Sequence, residues 1–418
     1  MFVLEFKVKG KSIQYKRIDE AIKTAQFVRN KCIRLWMDGE AKSRNDFYLF
    51  TTRLAKDFGF VDQLNSMARQ ASCERAWASV ARFSDNCNKK IKGKKGYPRF
   101  KKNCRSVEYK TSGYKLSADR TRITFTDKKL IGKLKLIGSR DLNYFQIEQI
   151  KRVRLVRRAD GYYCQFLLDK DARDIVWRKP PDGGATGFEP TKLVVGLDLG
   201  LKYFLADSNG KVESCPQFYR SSEKRLNRAN RKKSKKFSRG EKQSTNYIKA
   251  RNRYARKHLR VSRQREEYVK RLAYCVIQSN DLVAYEDLNV KGLVRNRRLA
   301  KSISDAGWSS FRRWLEYFGW KYGKATVAVP PHYTSQNCSN CGQTVKKALS
   351  VRTHVCPHCG YVEDRDINAS INILKLGLRT VGHTGTKAWG DLPASSVGES
   401  LLGYGESLNQ ESQWLSSL

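Results

Sequence analysis

The sequence has no apolar run approaching the roughly 20 residues needed to span a bilayer. Its N-terminus, MFVLEFKVKGKSIQYKR, has neither the apolar core nor the small-residue cleavage site of a signal peptide. Neither end carries a lipidation signal. These absences exclude a membrane-spanning, secreted or lipid-anchored protein and predict an intracellular one. Acids are scarce: 40 Asp+Glu stand against 83 Lys+Arg, a net charge of +43 in 418 residues. A surface so charged repels itself unless it meets a polyanion, and nucleic acid is the default partner. The basic residues are spread along the chain, which fits a membrane surface poorly. Among the five histidines no His-hydrophobic-His motif occurs, and no tyrosine pair suggests a covalent DNA nucleophile. No internal repeat is visible.

Cysteines are present in an odd number, 11. Seven are scattered singly (Cys32, Cys73, Cys87, Cys104, Cys164, Cys215 and Cys275) and read as reduced, mostly buried thiols. The other four, in CSNC (338–341) and CPHC (356–359), form C-x2-C-x14-C-x2-C. Gly342 and Gly360 follow the second cysteine of each pair. This is the spacing of a zinc ribbon: Cys338, Cys341, Cys356 and Cys359 around one tetrahedral, structural Zn²⁺. With four thiolates present, His354 and His358 are not needed as ligands.

The chain changes character several times. Phe2, Leu4, Phe6 and Val8 alternate on one face of a strand over 1–9. Ala21, Ala25, Val28, Cys32 and Leu35 fall on one stripe of a helix over 19–37, with Asp19 as its N-cap. A second helix is predicted over about 62–88, with Leu64, Met67, Ala68 and Ala71 as its stripe. Then NKKIKGKKGYPRFKKNCR (88–105) interleaves cations with aromatics. Lys94, Lys95, Arg99 and Lys101 suit phosphates; Tyr97 and Phe100 suit stacked bases. Residues 107–170 turn to a two-residue period, with a hairpin at Asp160-Gly161, and suggest a small β-barrel or sheet. KPPDGGATGFEP reads as an interdomain linker.

From 192 the pattern is β-β-α-β-α-β-α, an α/β domain with a mixed sheet. Residues 220–271 hold 21 Lys/Arg and four acids, and Val269, Leu272, Ala273 and Val276 form an apolar stripe at their end. A cationic helical pair lying along a duplex is expected, presenting Arg228, Arg231, Lys232, Lys235, Arg253 and Arg256. Two buried strands end in acids: KLVVGLDLG at Asp198 and DLVAYEDL at Glu286. A third acid, Asp366 in EDRDINAS, opens an amphipathic helix. A carboxylate ending a buried strand is costly unless neutralised. Three such groups can hold two Mg²⁺ ions about 4 Å apart that clamp a phosphodiester. On spacing alone Asp287 competes with Glu286, and Asp364 with Asp366; Asp364 is also a candidate helix N-cap. GLDLG resembles the acidic strand–turn of sugar kinases too, but LKYF follows it with no small hydroxyl residue to hold phosphate, which argues against ATP binding.

The order GLDLGLKYF, basic helices, VAYEDLNV, PPHYTSQNCSNCG, CPHCG and DRDINASINIL resembles TnpB, the transposon-encoded RNA-guided nucleases related to type V CRISPR effectors. GYPRFKK upstream is similar to a family signature as well, and the resemblance covers about 1–380. It implies a multidomain α+β and α/β chain: a wedge β-barrel (1–10 and 105–175) with an inserted helical recognition domain (11–104), a linker (176–191), an RNase-H-like RuvC domain (192–330 and 362–380) carrying a zinc-ribbon insert (331–361), and a disordered tail (381–418). The family's acids map onto Asp198, Glu286 and Asp366, the D-x-N-A frame choosing Asp366. The implied cofactors are two catalytic Mg²⁺ and one structural Zn²⁺. The implied partners are a guide RNA and double-stranded target DNA, bound by a monomer or a dimer sharing one RNA, in a prokaryotic cytoplasm at the nucleoid. The implied activity is DNA cleavage beside a short adjacent motif; the alternative is a guide-dependent DNA-binding repressor that does not cut.

Overall fold

The computed structural model describes residues 1–175, 191–348 and 350–381. The linker expected over 176–191 and the disordered tail expected over 381–418 lie outside the described residues, save Thr191 and Val381. The chain divides into two compact units, Met1–Ile175 and Val176–Leu418. Among the described residues no helix is long and apolar enough to cross a membrane.

The first unit opens with β1 (Phe2–Lys9), continues through α1 (Ser12–Met37), α2 (Arg44–Asp57), α3 (Gly59–Asp62) and α4 (Ser66–Asn88), and returns to strands: β2 (Ser106–Lys110), β3 (Tyr114–Leu116), β4 (Arg122–Phe125), β5 (Lys133–Ile137), β6 (Ile150–Arg158) and β7 (Gly161–Leu168). Leu4, Phe6 and Val8 of β1 are buried, as their alternation predicts. The seven strands run in the order β2-β6-β7-β1-β5-β4-β3. The two edges, β2 and β3, are joined by the single turn Thr111–Gly113, so the sheet curls on itself. No ladder pairs them, and the expected barrel is a half-barrel. The edge strand β2 packs under α4 instead, a common way to shield an open edge. Its Glu108 is 4% exposed and tolerable there because Arg152 and Arg154 donate to it, each approaching to 2.8 Å.

Three expectations for this unit shift. Helix α1 begins at Ser12, not near Asp19. Its apolar stripe reaches back to Ile18, and Gln14 Oε1 accepts the Lys11 N–H at 2.7 Å to close the first turn. Asp19 lies inside the helix and accepts from Arg157 at 3.1 Å. Helix α2 was not anticipated; Phe47, Thr51 and Leu54 form its short buried stripe and Ser43 caps it. The helix expected from 62 starts at Ser66, capped by Asn65, whose side chain accepts from Met67 N at 2.8 Å. The hairpin turn is Ala159-Asp160, with Gly161 already the first residue of β7.

The second unit comprises β8 (Val194–Asp198), β9 (Tyr203–Asp207), β10 (Val212–Ser214), α5 (Phe218–Ser234), α6 (Thr245–Ser279), β11 (Leu282–Glu286), α7 (Val290–Leu293), α8 (Ala300–Ala306), α9 (Trp308–Tyr322), β12 (Ala325–Val329), β13 (Thr353–Val355), β14 (Val362–Asp364) and α10 (Arg365–Thr380). Its main sheet has the order β10-β9-β8-β11-β12. Strands β8, β11 and β12 are parallel, and β9 runs against β8. One face buries Val195, Leu197, Val283 and Tyr285 against α6 and α9, through Val269, Ala273, Phe311 and Leu315. The other face buries Leu282, Ala284 and Val329 against Ile373 of α10. The backbone of α10 comes very close: a Cβ built on Gly196 of β8 would lie 2.1 Å from the Ser370 carbonyl, and one on Gly377 would lie 2.5 Å from Ala284 Cβ. Only glycine permits that approach.

Candidate active site and cysteine cluster

Strand alternation decides where the strand-end acids go. Val195 and Leu197 face α6 and α9, so Gly196 and Asp198 face α10. Val283 and Tyr285 likewise face α6 and α9, so Glu286 shares the α10 face with Leu282 and Ala284. Because Leu197 pairs with Tyr285, the two acids sit side by side at the carboxyl ends of neighbouring parallel strands. Asp287 points the other way: it is exposed and ion-paired to Arg312, which also holds Glu316 at 2.8 Å, while Tyr285 donates to Glu316 at 2.8 Å.

Helix α10 supplies the third acid. Asp364 is its N-cap, accepting from Asp366 N at 2.8 Å and lying 3.6 Å from Lys202. Asp366, in the first turn, is 9% exposed and 3.7 Å from Arg352. The Asp198 carboxyl is pushed up to about 8, first by burial and then by the negative charges of Glu286 and Asp366. Burial raises Glu286 too, against a hydrogen bond from Thr334 Oγ1 at 2.5 Å. Glu286 and Asp366 are near enough to Asp198 for their charges to act on it. The three carboxylates do not draw within 4.8 Å of one another as a set, a closeness that only the four cysteines reach among the described residues. Hard oxygen donors gathered at strand and helix ends suit a divalent cation.

The cysteines form a second centre. Cys338 and Cys341 lie on one knuckle, Cys356 and Cys359 on the other, across the β13–β14 hairpin. The Cys338–Cys359 and Cys341–Cys356 sulfurs are 3.7 and 3.6 Å apart. A tetrahedron with Zn–S bonds of about 2.3 Å has edges of about 3.8 Å, so the cluster is sized for zinc. Each knuckle closes with a glycine in the left-handed region, Gly342 at φ 79° and Gly360 at φ 71°, whose N–H returns to the first cysteine's carbonyl. His354 stands outside the cluster, buried, with Nδ1 against Lys347 Nζ; His358 is exposed.

The cationic candidates are placed as follows. In the second unit Arg228, Arg231 and Lys232 of α5, Lys235 just after it, and Arg253 and Arg256 of α6 are all exposed, while Leu226, Ala229, Val261, Val269, Ala273 and Ile277 are buried. The inward position at the end of α6 is Ile277, with Leu272 and Val276 only partly buried. In the first unit Lys94, Lys95, Arg99, Lys101, Tyr97 and Phe100 are exposed. Their loop is pinned rather than free. Asn30 of α1 bonds Lys101 at both N and O (2.9 and 2.8 Å), Arg29 donates to the Arg99 carbonyl, and Tyr97 packs edge-on against Phe83.

The chain is similar to known proteins. A protein of Streptomyces pristinaespiralis named "Putative RNA-guided DNA endonuclease" is 30% identical over 332 residues, covering 77% of this chain and 74% of its own length. The TnpB-like protein L79 of Acanthamoeba polyphaga mimivirus is 28% identical over 224 residues, 50% of this chain and 42% of its own. The chain belongs to the TnpB family. An Escherichia coli K12 protein named "Putative RNA-guided DNA endonuclease InsQ" is 29% identical over 298 residues, 67% of this chain and 68% of that one. Family models described as "Probable transposase" and "Cas12f1-like, TNB domain" match residues 179–297 and 308–373. The fold is that of a Cas12f1 chain solved with sgRNA and target DNA (TM-score 0.52, 14% identity, 87% of this chain and 83% of that one). It is also that of the mini RNA-guided endonuclease Cas_phi3 (TM-score 0.51, 11% identity, 90% and 92%).

Sequence reasoning missed Thr334, Arg352 and the two asparagines of α10 that face the ribbon. The signals existed: a hydroxyl four residues ahead of the first knuckle, and Asn368 and Asn372 spaced one helical turn apart.

Proposed function

We propose that this TnpB-family chain is an RNA-guided DNA endonuclease with one RuvC-type, Mg²⁺-dependent site that cuts double-stranded DNA next to a short adjacent motif. The observation that carries the reading is the convergence of Asp198, Glu286 and Asp366 on one face of one sheet, close enough for Glu286 and Asp366 to raise the Asp198 carboxyl. The relatives' names and the Cas12-like fold support it. So does the strand order of the second unit, with three parallel strands and one antiparallel neighbour, which is the RNase-H-like arrangement.

In this reading 192–330 and 362–380 are the nuclease domain and 331–361 the zinc-ribbon insert; 1–10 with 105–175 is the wedge and 11–104 the helical recognition domain. The three carboxylates would hold the metal, which when bound supplies water activation and charge stabilisation at phosphorus. The chain's own part is to fix those oxygens at strand and helix ends. The exposed cations of α5 and α6 hold the phosphate backbone, and the pinned loop at 94–101 offers rings and cations to RNA. Sequence choice falls to base pairing with the guide.

The test is plasmid cleavage by the full chain with the RNA that copurifies with it and Mg²⁺. Asp198→Ala is expected to keep the RNA and lose cutting. Equal cleavage by that variant rejects the site; target DNA retained but uncut under every metal condition selects the non-cutting repressor.

A further inference from the structure

The stretch ahead of the first knuckle touches two of the three acids' supports. Tyr333 has a left-handed backbone, φ 62°, which costs on the order of 1–3 kcal/mol for a residue with a bulky side chain. That turn leaves Thr334 5% exposed, its hydroxyl donating to Glu286 Oε1 at 2.5 Å. The Thr334 carbonyl accepts from Asn372 Nδ2 at 2.9 Å, and the same amide donates to the Asn337 carbonyl at 2.8 Å. One turn back along α10, Asn368 donates to the Asn337 carbonyl at 2.9 Å and accepts the N–H of Ser339, inside the knuckle, at 2.8 Å. Lys375, one turn onward, donates to the Ser339 carbonyl. Asn368, Asn372 and Lys375 thus form one helical face that grips the knuckle, and Asp366 begins the same helix.

We propose that Thr334 is a positioning residue that presents Glu286 to the catalytic cation, and that the folded ribbon holds Thr334 in place through Asn372. This rests on the reading that Asp198, Glu286 and Asp366 bind that cation. A buried carboxylate without a fixed donor swings among rotamers; a hydroxyl at 2.5 Å selects one. Outer donors that orient metal-binding carboxylates typically contribute 10–100-fold in metal affinity. The alternative role, a hydroxyl that merely fills space in the ribbon, would leave affinity for the cation untouched.

The experiment uses the full chain with its copurified RNA and Mn²⁺ as the probe. Free Mn²⁺ is followed by electron paramagnetic resonance, and zinc by elemental analysis. In the wild-type chain a Mn²⁺ site that disappears in Asp198→Ala marks the acid centre. Thr334→Val, which keeps shape and removes the donor, is expected to retain one zinc per chain and weaken that Mn²⁺ site at least about tenfold. Thr334→Ser is expected to restore it to within about twofold of wild type. Wild-type Mn²⁺ affinity in Thr334→Val overturns the proposal while leaving the nuclease reading intact, as does loss of zinc from that variant. Absence of any Asp198-dependent Mn²⁺ site in the wild type overturns the nuclease reading itself.

Discussion

Gly196→Ala tests whether the site depends on the closeness of α10 to the sheet. The new Cβ would stand 2.1 Å from the Ser370 carbonyl oxygen and 2.7 Å from Leu374 N. A relaxed contact needs more than about 3 Å, so α10 must retreat by about 1 Å. No side chain can yield in its place, because the nearest two atoms are backbone. Overpacking of this kind costs about 1–3 kcal/mol, and backbone obstacles put this case at the upper end. That corresponds to a fall in Tm of roughly 5–10 °C for a unit of this size. The same retreat carries Asp366 away from Asp198 and Glu286. A misplacement of about 1 Å among reacting groups can cost about 100-fold in rate. The assay is single-turnover cleavage of a matched target at saturating Mg²⁺, with thermal unfolding alongside. A variant that cuts within about threefold of wild type, with Tm unchanged, would refute the argument that α10 must touch β8 to complete the site.

Charge supplies two more tests. Because the folded-state carboxyl of Asp198 is raised to about 8, the metal-free chain holds a proton there that the unfolded chain releases near pH 4. The unfolded state then binds fewer protons, so metal-free stability falls as pH rises from about 4 to about 8. Tm measured without added Mg²⁺ and with zinc retained is expected to drop over that range, with a smaller drop in Asp198→Asn, and Mg²⁺ should raise Tm more at pH 8 than at pH 6. Replacing Arg228, Arg231, Lys232 and Lys235 together with Gln should leave folding intact, since all four are exposed. It should flatten the dependence of log affinity on log salt for duplex DNA by about 0.9 for each phosphate these side chains neutralise; an unchanged slope would remove α5 from the interface.

What could be read from the sequence, and what could not, divides along local and non-local lines. The cysteine knuckles were legible because two residues and a glycine define each turn. The strand-end acids were legible because a buried run ending in Asp or Glu is costly without a partner. Asp364 and Asp366 could not be separated by spacing; the fold separates them by using one as a helix cap, an arrangement that depends on where the helix begins. That Glu286 rather than Asp287 shares a face with Asp198 could be seen only once Tyr285 was known to face α9. Thr334 was legible as a hydroxyl just ahead of the first knuckle, but not as a partner of Glu286, which lies 48 residues away. The half-barrel was misjudged for a similar reason. Alternation announces strands, but whether the first and last of them pair depends on what else, here α4, covers the edge. Helix α1 was shortened because its first residues, 12–17, bury none of their side chains, Ile13 included, and the buried stripe begins only at Ile18.

The ribbon's place in the chain has a consequence for biosynthesis. Asp198 and Glu286 leave the ribosome before residues 338–359, and Asp366 leaves after them. A chain still being translated past Glu286 therefore has two of the three carboxylates and not yet the third. The three acids can therefore meet only after both cysteine pairs and helix α10 have been synthesised.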